Sequence, residues 1–212
     1  MTDNLETLAC QAKLVEEKDF NQNAILPYGC TNRHIYLAMS ELIEFLTFIN
    51  KQLHSKNLQR FETMLMPANF SSVVGEFMVS NIPKYCQTLV KNQHHNGHPD
   101  LIPTGMFPGN AVQHSNIGIE IKASRYSSGW QGHNPEDGWL MVFVFDSNRP
   151  NDLSQGIQAL PFRFVKVIGA QLTKDDWSFS GRKDTSRRTI TASVKRSGYQ
   201  KMMSNWIYST SE

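Results

Sequence analysis

Two carboxylates and one amine stand close together in the middle of the chain. Asp100 follows a proline, and Glu120 and Lys122 come about twenty positions later. Successive side chains of a β-strand point to opposite faces, so Glu120 and Lys122 would share one face with their Cα atoms about 6.6 Å apart. Mg²⁺ takes oxygen ligands and keeps several waters. Asp100 and Glu120 could therefore bind Mg²⁺, while Lys122 could hold a water and offset the charge that develops in phosphodiester hydrolysis.

An alternating apolar run predicts that this chemistry lies on a strand. Every second residue of 117–121 is isoleucine. This pattern is typical of a strand with one buried face, and Glu120 and Lys122 then lie on the opposite face. Gly118 belongs to that second face, where the missing side chain lets backbone or nucleic acid approach closely.

The order Pro99-Asp100 followed by Glu120-Ile121-Lys122 resembles the motif of the PD-(D/E)XK nuclease superfamily, and in particular the type II restriction endonucleases. The resemblance covers roughly residues 70–172. It implies an α/β fold with a mixed central β-sheet flanked by helices, the restriction endonuclease-like core, here with an N-terminal helical region.

The resemblance also implies roles for individual residues. Asp100 and Glu120 would bind Mg²⁺, for which Mn²⁺ is a substitute, and Lys122 would position the attacking water. Some members of the family place an acidic residue on a preceding helix, and Glu76 is the candidate here. The alternative for Glu76 is an ordinary exposed helix residue.

Length and composition predict a single domain over 1–212. Within it, we expect a helical N-terminal arm or subdomain over 1–66, the nuclease-like core over 70–172, and a basic strand and helix extension over 173–212. No apolar run is long enough to span a membrane, and the first residues have neither a basic nor an apolar region. We therefore expect a cytoplasmic protein without a membrane partner.

The cysteines and histidines suggest no strong metal motif. Cys10, Cys30 and Cys86 are odd in number and scattered, which favours reduced thiols that act as packing residues. A cluster of histidines precedes the Pro-Asp pair and could bind Zn²⁺ together with Asp100. A chance polar linker explains the same cluster equally well, and its members are His94, His95, His98 and the more distant His114.

The helices are predicted from apolar periodicity and from capping residues. In the most regular of them, apolar residues recur at every third or fourth position and Thr31 or Asn32 is placed to cap the start. Asn69 or Ser71 is placed to cap another helix that Pro83 interrupts or restarts. The predicted helices cover 3–19, 33–56, the segment from 69 or 71 to 83, and 199–208.

Further strands are predicted over 139–145, 162–172 and 189–194, where β-branched and aromatic residues are dense. The intervening segment 151–159 holds either a short helix or a loop. A crossover helix there would make the flanking strands parallel, and the sequence does not decide between the two.

Two segments are candidates for contacts with DNA. The loop 124–135 is rich in side chains that can pair with base edges, and a loop that braces the active site is the alternative. The segment 182–201 is strongly basic although the net charge of the chain is only +2, and a solvated surface hairpin is its alternative. The predicted contact residues are Arg125, Gln131, His133, Asn134, Arg182, Lys183, Arg187, Arg188, Lys195 and Arg196.

Together these observations predict a Mg²⁺-dependent endonuclease that hydrolyses phosphodiester bonds in double-stranded DNA. Cutting both strands with one active site per chain suggests a homodimer. A junction resolvase or repair nuclease of the same fold is the main alternative. A non-catalytic nucleic-acid-binding module, or a surface ion cluster formed by Asp100, Glu120 and Lys122 on an unrelated sheet, also stays open.

Overall fold

The computed structural model of the chain describes residues 2–132, 134–180 and 191–210. Its helices are α1 (Thr2–Ala9), α2 (Asn32–His54), α3 (Phe61–Met64), α4 (Pro67–Tyr85) and α5 (Arg196–Ser204). Its strands are β1 (Leu89–Lys91), β2 (Leu101–Pro103), β3 (Ile119–Ser124), β4 (Gln131–Gly132), β5 (Gly138–Asp146), β6 (Arg163–Leu172), β7 (Trp177–Ser180), β8 (Thr191–Val194) and β9 (Trp206–Ser209).

A mixed six-stranded sheet forms the centre of the molecule. Its strand order is β1-β2-β3-β5-β6-β9. Strands β3 and β5 run parallel, whereas the other neighbouring pairs are antiparallel. A second sheet has the order β4-β8-β7 and is antiparallel. The predicted class, an α/β fold with a mixed sheet, flanking helices and a helical N-terminal region, is confirmed.

Both faces of the central sheet are covered, which explains the long apolar run of β5. Met141, Phe143 and Phe145 pack against the layer of α2 and α4. Leu140 and Val142 point the other way and pack with residues of the second sheet and α5. A strand buried on both faces needs apolar residues at consecutive positions instead of an alternating pattern.

Helix α2 confirms the periodicity prediction. Its buried stripe includes Ile35, Leu42 and Leu46. Thr31 is the N-cap: its hydroxyl accepts from the backbone N–H of His34 at 3.4 Å, and its own N–H donates to His34 Nδ1 at 3.2 Å. The helix therefore begins one residue earlier than the sequence predicts and ends at His54.

The bounds of α4 differ from the prediction. The helix begins at Pro67 instead of at a cap formed by Asn69 or Ser71, because a proline at the first helical position has no N–H left unsatisfied. Pro83 does not interrupt it, since the helix continues to Tyr85.

Two terminal predictions are wrong in part. Helix α1 ends at Ala9 instead of continuing to 19, because the following segment runs along the sheet and Lys13 N donates to Phe162 O at 2.8 Å. The predicted helix 199–208 divides into α5 and β9, since Ile207 and Tyr208 are buried beside β6. The described part of the predicted strand 189–194 is β8.

The segment between β5 and β6 is a connection without a crossover. It contains only a short 3₁₀ helix, Leu153–Gln155, and the two strands pair antiparallel. This resolves the alternative that the sequence left open.

The segment around Phe20 and Asn21, between α1 and α2, packs against β9. Asn21 N donates to Ile207 O at 2.9 Å. The rings of Phe20 and Tyr208 lie 5.0 Å apart between centroids. Residues far apart in the sequence thus close this edge of the sheet together.

No helix in residues 2–132, 134–180 and 191–210 is long and apolar enough to cross a membrane.

Asp176 is a buried carboxylate that joins α5 to the turn before β7. It accepts from Lys201 Nζ at 2.6 Å, Ser197 Oγ at 2.9 Å and Thr173 N at 3.0 Å. Burial alone would raise the pKa of Asp176, but these hydrogen bonds outweigh burial and lower the pKa to about 2. The charged form is therefore the one that stabilises the fold.

We expect Asp176→Asn to lower the free energy of unfolding by about 2 kcal/mol at neutral pH. Because the folded pKa lies below the ordinary value, this stabilisation is present above about pH 4 and is lost as the pH falls towards 2. Urea unfolding from pH 3 to pH 7 measures both effects. Asp175→Asn is the matched control, since Asp175 is exposed. An equal loss in the two variants would contradict the prediction.

Candidate functional site

Asp100, Glu120 and Lys122 lie together in a cleft of about 690 Å³ beside α4. Glu76 on α4 lines the same cleft. The structure therefore brings the three predicted catalytic residues, and the additional predicted metal ligand, to one concave surface.

The β2–β3 pair places Asp100 next to Glu120. Leu101 is paired with Ile119, and the carboxylate of Asp100 accepts from the backbone N–H of Ile121 at 2.8 Å. Ile119 and Ile121 are buried, while Glu120 and Lys122 are on the opposite, partly exposed face. The alternation predicted from the sequence is thus confirmed for residues 119–122. It is wrong for Ile117, which is exposed and precedes β3.

The approach of the two strands depends on Gly118. Its φ is +142°, and a Cβ atom built there would lie 2.2 Å from the carbonyl oxygen of Leu101 and 2.4 Å from Cγ of Pro99. Such distances are far shorter than van der Waals contact. Only glycine therefore allows this spacing between Asp100 and β3.

Glu120 lies between two cationic groups. Lys122 Nζ donates to its Oε1, and His98 Nδ1 lies 2.9 Å from its Oε2. Burial alone would raise the pKa of Glu120, but the hydrogen bond from His98 and the charge of Lys122 lower it. Burial opposes the charged form of Lys122 as well, yet the charge of Glu120 raises its pKa. Glu120 and Lys122 therefore form an ion pair.

Asp100 behaves differently from Glu120. Burial raises the pKa of Asp100 above its ordinary value, and the negative charge of Glu120 adds to this effect. Lys122 and the N–H of Ile121 oppose it only in part. Two neighbouring carboxylates with opposite shifts are a common property of functional sites.

His98 and Glu136 extend the site beyond the predicted residues. His98 Nε2 lies 2.8 Å from Glu136, and the His98 ring stacks on His114 with 5.4 Å between centroids. Burial lowers the pKa of His98, but the hydrogen bonds to Glu120 and Glu136 outweigh burial and raise it to about 9. Glu136 was missed by the sequence reasoning. It precedes β5, and only the parallel pairing of β5 with β3 brings it near Glu120.

A second cavity of about 330 Å³ adjoins the cleft and shares His98, Glu120 and Lys122 with it. Apolar walls from Trp139 and Trp177 face polar groups there. The polar lining residues include Gln113, Asn116, Asn134 and Glu136.

Glu76 differs from the other predicted metal ligands. It is exposed, and its carboxylate accepts from Lys91 at 2.9 Å. Among the described residues, three donor atoms from His, Cys, Asp or Glu lie within 4.8 Å of one another at Cys30, His34 and Cys86. Glu76 belongs to no such group. Glu76 therefore lines the cleft without joining Asp100 and Glu120 in a tight cluster.

The predicted zinc histidines His94, His95 and His98 line the same cleft as Asp100, but among the described residues they form no group of three donor atoms within 4.8 Å. His94 and His95 are exposed, and His94 Nδ1 lies 2.8 Å from the carbonyl oxygen of His95. His98 instead contacts carboxylates, as described above.

The predicted DNA-contact residues other than Arg125 fall into three groups. Gln131 and Asn134 are exposed and line cavities that Lys122 also lines. Lys195 and Arg196 are exposed at the start of α5. The other predicted residues His133, Arg182, Lys183, Arg187 and Arg188 lie outside the described part of the chain.

Arg125 points inward. Its guanidinium donates to the carbonyl oxygen of Ser147 at 2.6 Å and lies over the rings of Phe70 and Phe145 at 5.4 Å and 5.1 Å. Arg125 therefore links the end of β3 to the end of β5. This inward orientation does not support the predicted contact with a DNA base.

No protein-family model matches the chain, and no curated protein or solved structure is significantly similar to it. The resemblance to the PD-(D/E)XK nucleases therefore rests on the motif and on the strands that carry it.

We expect Gly118→Ala to lower the free energy of unfolding by about 2–4 kcal/mol, because the added methyl group is both strained and overpacked. Gly138→Ala on β5 is the matched control, since a Cβ atom there has nothing within 4 Å. Urea denaturation of the two variants measures the difference. Equal stability of both variants would mean that the Leu101–Gly118 approach is not required.

Proposed function

We propose that the protein is a Mg²⁺-dependent endonuclease of the type II restriction kind that hydrolyses phosphodiester bonds in double-stranded DNA. The observation that carries the proposal is the convergence of Asp100, which directly precedes β2, with Glu120 and Lys122 of the paired strand β3 in one cleft. A chance ion pair on a strand would not require a partly buried aspartate from the start of a neighbouring strand at the same place.

The donor set fits a hard divalent cation. Asp100 and Glu120 offer carboxylate oxygens, and one or two carboxylates with waters and substrate phosphate are a normal Mg²⁺ site. Glu76 is placed on the same cleft and would reach such a site through water. Bound Mg²⁺ would supply a more acidic water and withdraw charge from the phosphate.

The chain's own residues would do the remaining work. Asp100 is fixed by the N–H of Ile121 and would hold one side of the site with little reorganisation. Lys122, when released from Glu120, would donate to the attacking water and offset negative charge on the phosphate. A product with a 5′-phosphate is expected from the resemblance.

His98 and Lys122 would compete with a cation for Glu120, because each contacts one of its two oxygens. Glu136 offers His98 a second partner at 2.8 Å. His98 would therefore remain paired after Glu120 turned to a cation, which keeps its charge close to the DNA phosphates.

The DNA would lie across the cleft and the adjoining cavity. Asn134 and Gln131 are the proposed base-reading residues, and Lys195 and Arg196 the proposed phosphate contacts among the described residues. The proposed functional unit is a homodimer, since each chain supplies one cleft and a duplex has two strands to cut.

We expect Lys122→Ala to lower the rate of DNA cleavage about 10²–10³-fold, because it removes a donor directed at the developing charge. The measurement is cleavage of mixed-sequence phage DNA in Mg²⁺, followed by gel electrophoresis. Lys84→Ala is the matched control, since Lys84 also pairs with a glutamate, Glu41 at 3.1 Å, but lies away from the cleft.

The substrate outcome distinguishes the alternatives. Discrete fragments support site-specific restriction, and cleavage restricted to branched DNA indicates a junction resolvase. Intact DNA with wild-type protein, or equal cleavage by wild type and Lys122→Ala, overturns the proposed catalytic assignment.

We expect Ca²⁺ to support DNA binding without efficient hydrolysis and Mg²⁺ or Mn²⁺ to restore cleavage. Ca²⁺ accepts the same oxygen ligands but with longer bonds and looser geometry. Binding titrations and cleavage assays in each metal, after treatment with EDTA, test this. Full cleavage in excess chelator would remove the metal from the mechanism.

A further inference from the structure

Cys30, His34 and Cys86 form a cluster of soft donors that the proposed hydrolysis does not use. One ligand atom from each residue lies within 4.8 Å of the other two. Cys30 and Cys86 are buried, whereas His34 is partly exposed. None of the three lines the cleft that holds Asp100.

Separate structural elements hold the three donors. Cys30 immediately precedes the N-cap of α2, His34 lies in the first turn of that helix, and Cys86 is the C-cap of α4. Backbone hydrogen bonds fix both sulfur-bearing ends: Cys30 N donates to Pro27 O and Cys86 N to Ile82 O, each at 3.0 Å. The cluster is therefore a feature of the fold and not of one flexible loop.

A further contact holds the Cys30 turn against the segment after α4. Thr88 Oγ1 donates to the carbonyl oxygen of Tyr28 at 2.6 Å and lies 3.2 Å from Cys86 Sγ. Thr88 therefore helps to hold the turn that carries Cys30 close to Cys86.

The distances suit a tetrahedral cation. With Zn–S bonds of about 2.3 Å and Zn–N bonds of about 2.0 Å, ligand atoms at tetrahedral angles lie about 3.5–3.8 Å apart. The three donors, already within 4.8 Å, would need to close by at most about 1.3 Å. Side-chain rotation alone covers such a distance.

Packing alone explains the burial of two cysteines but not their meeting with a histidine. Cys10 provides the comparison within the same chain: it is equally buried and belongs to no such group of donors in the described residues. Buried cysteine is common as a small apolar residue, whereas two thiols and an imidazole at this spacing are the donor set of zinc sites.

We propose that Cys30, His34 and Cys86 bind a thiophilic divalent cation, Zn²⁺, with water as the fourth ligand. Binding would release the thiol protons to solvent and leave two thiolates and a neutral imidazole on the metal. Soft sulfur donors favour Zn²⁺ over Mg²⁺, so this site and the carboxylate cleft would select different ions.

The His34 ring would exchange one weak contact for the metal. At present Nδ1 accepts from Thr31 N at 3.2 Å. If Nδ1 bound the metal, its lone pair could no longer accept from Thr31 N. If Nε2 bound the metal, the ring proton would move to Nδ1, and the same hydrogen bond would be lost. The helix would remain capped in either case, because the Thr31 hydroxyl still accepts from His34 N.

A cation at this place would link the start of α2 to the end of α4. These two helices cover the face of the sheet on which Ile119 and Ile121 of β3 are buried. Bound metal would stabilise this packing and raise the melting temperature by several degrees through preferential binding to the folded chain.

The test is titration of the full-length protein with Co²⁺ under a non-thiol reductant. We expect thiolate-to-cobalt charge-transfer absorption and intense visible bands of a tetrahedral site, and Zn²⁺ should displace the Co²⁺ stoichiometrically. Cys10→Ser should behave as wild type. Cys30→Ser and Cys86→Ser should lose the charge-transfer band in part or entirely, and His34→Ala should weaken binding.

Wild-type protein alone can overturn the proposal, even if a cysteine variant fails to fold. Absence of thiolate charge transfer in the folded wild type at saturating Co²⁺ refutes the site, and so does an unchanged band in folded Cys86→Ser. Cobalt held by Asp100 and Glu120 would give only weak bands of oxygen ligands. The result is thus independent of whether the protein cleaves DNA.

Discussion

The hydrogen bond from the N–H of Ile121 to the carboxylate of Asp100 is the contact on which the candidate site depends. It holds a side chain that precedes β2 against the backbone of β3, so the chemistry is positioned by two strands. The contact in turn requires Gly118, because any side chain there would separate the strands. A residue without a functional group thus determines where the functional groups lie.

Charge balance is the second property of the site. Glu120 is stabilised as an anion by Lys122 and His98, whereas burial keeps the pKa of Asp100 above its ordinary value. The site therefore holds one carboxylate that is already paired with two cationic groups and another whose charge depends on its surroundings. Because His98 contacts both Glu120 and Glu136, the charge balance extends from the cleft into the adjoining cavity.

Local pattern accounts for what the sequence could predict. The alternation around Glu120 and the apolar stripe of α2 are set by neighbouring residues, and both are found as expected. Glu136 and β9 could not be predicted, since each depends on a strand distant in sequence: β3 for Glu136 and β6 for β9. The meeting of Cys30, His34 and Cys86 likewise requires the packing of α2 on α4, which no sequence spacing reveals.

The packing of Phe20 and Asn21 against β9 has a consequence for how the chain folds during synthesis. Their contacts with Tyr208 and Ile207 cannot form until the ribosome has added about 185 further residues. The segment around Phe20 therefore lacks these contacts during synthesis, while the helices that follow it in the sequence, α2 to α4, can already form. Until the edge of the sheet is closed, an apolar side chain and an unpaired strand edge stay open to wrong contacts.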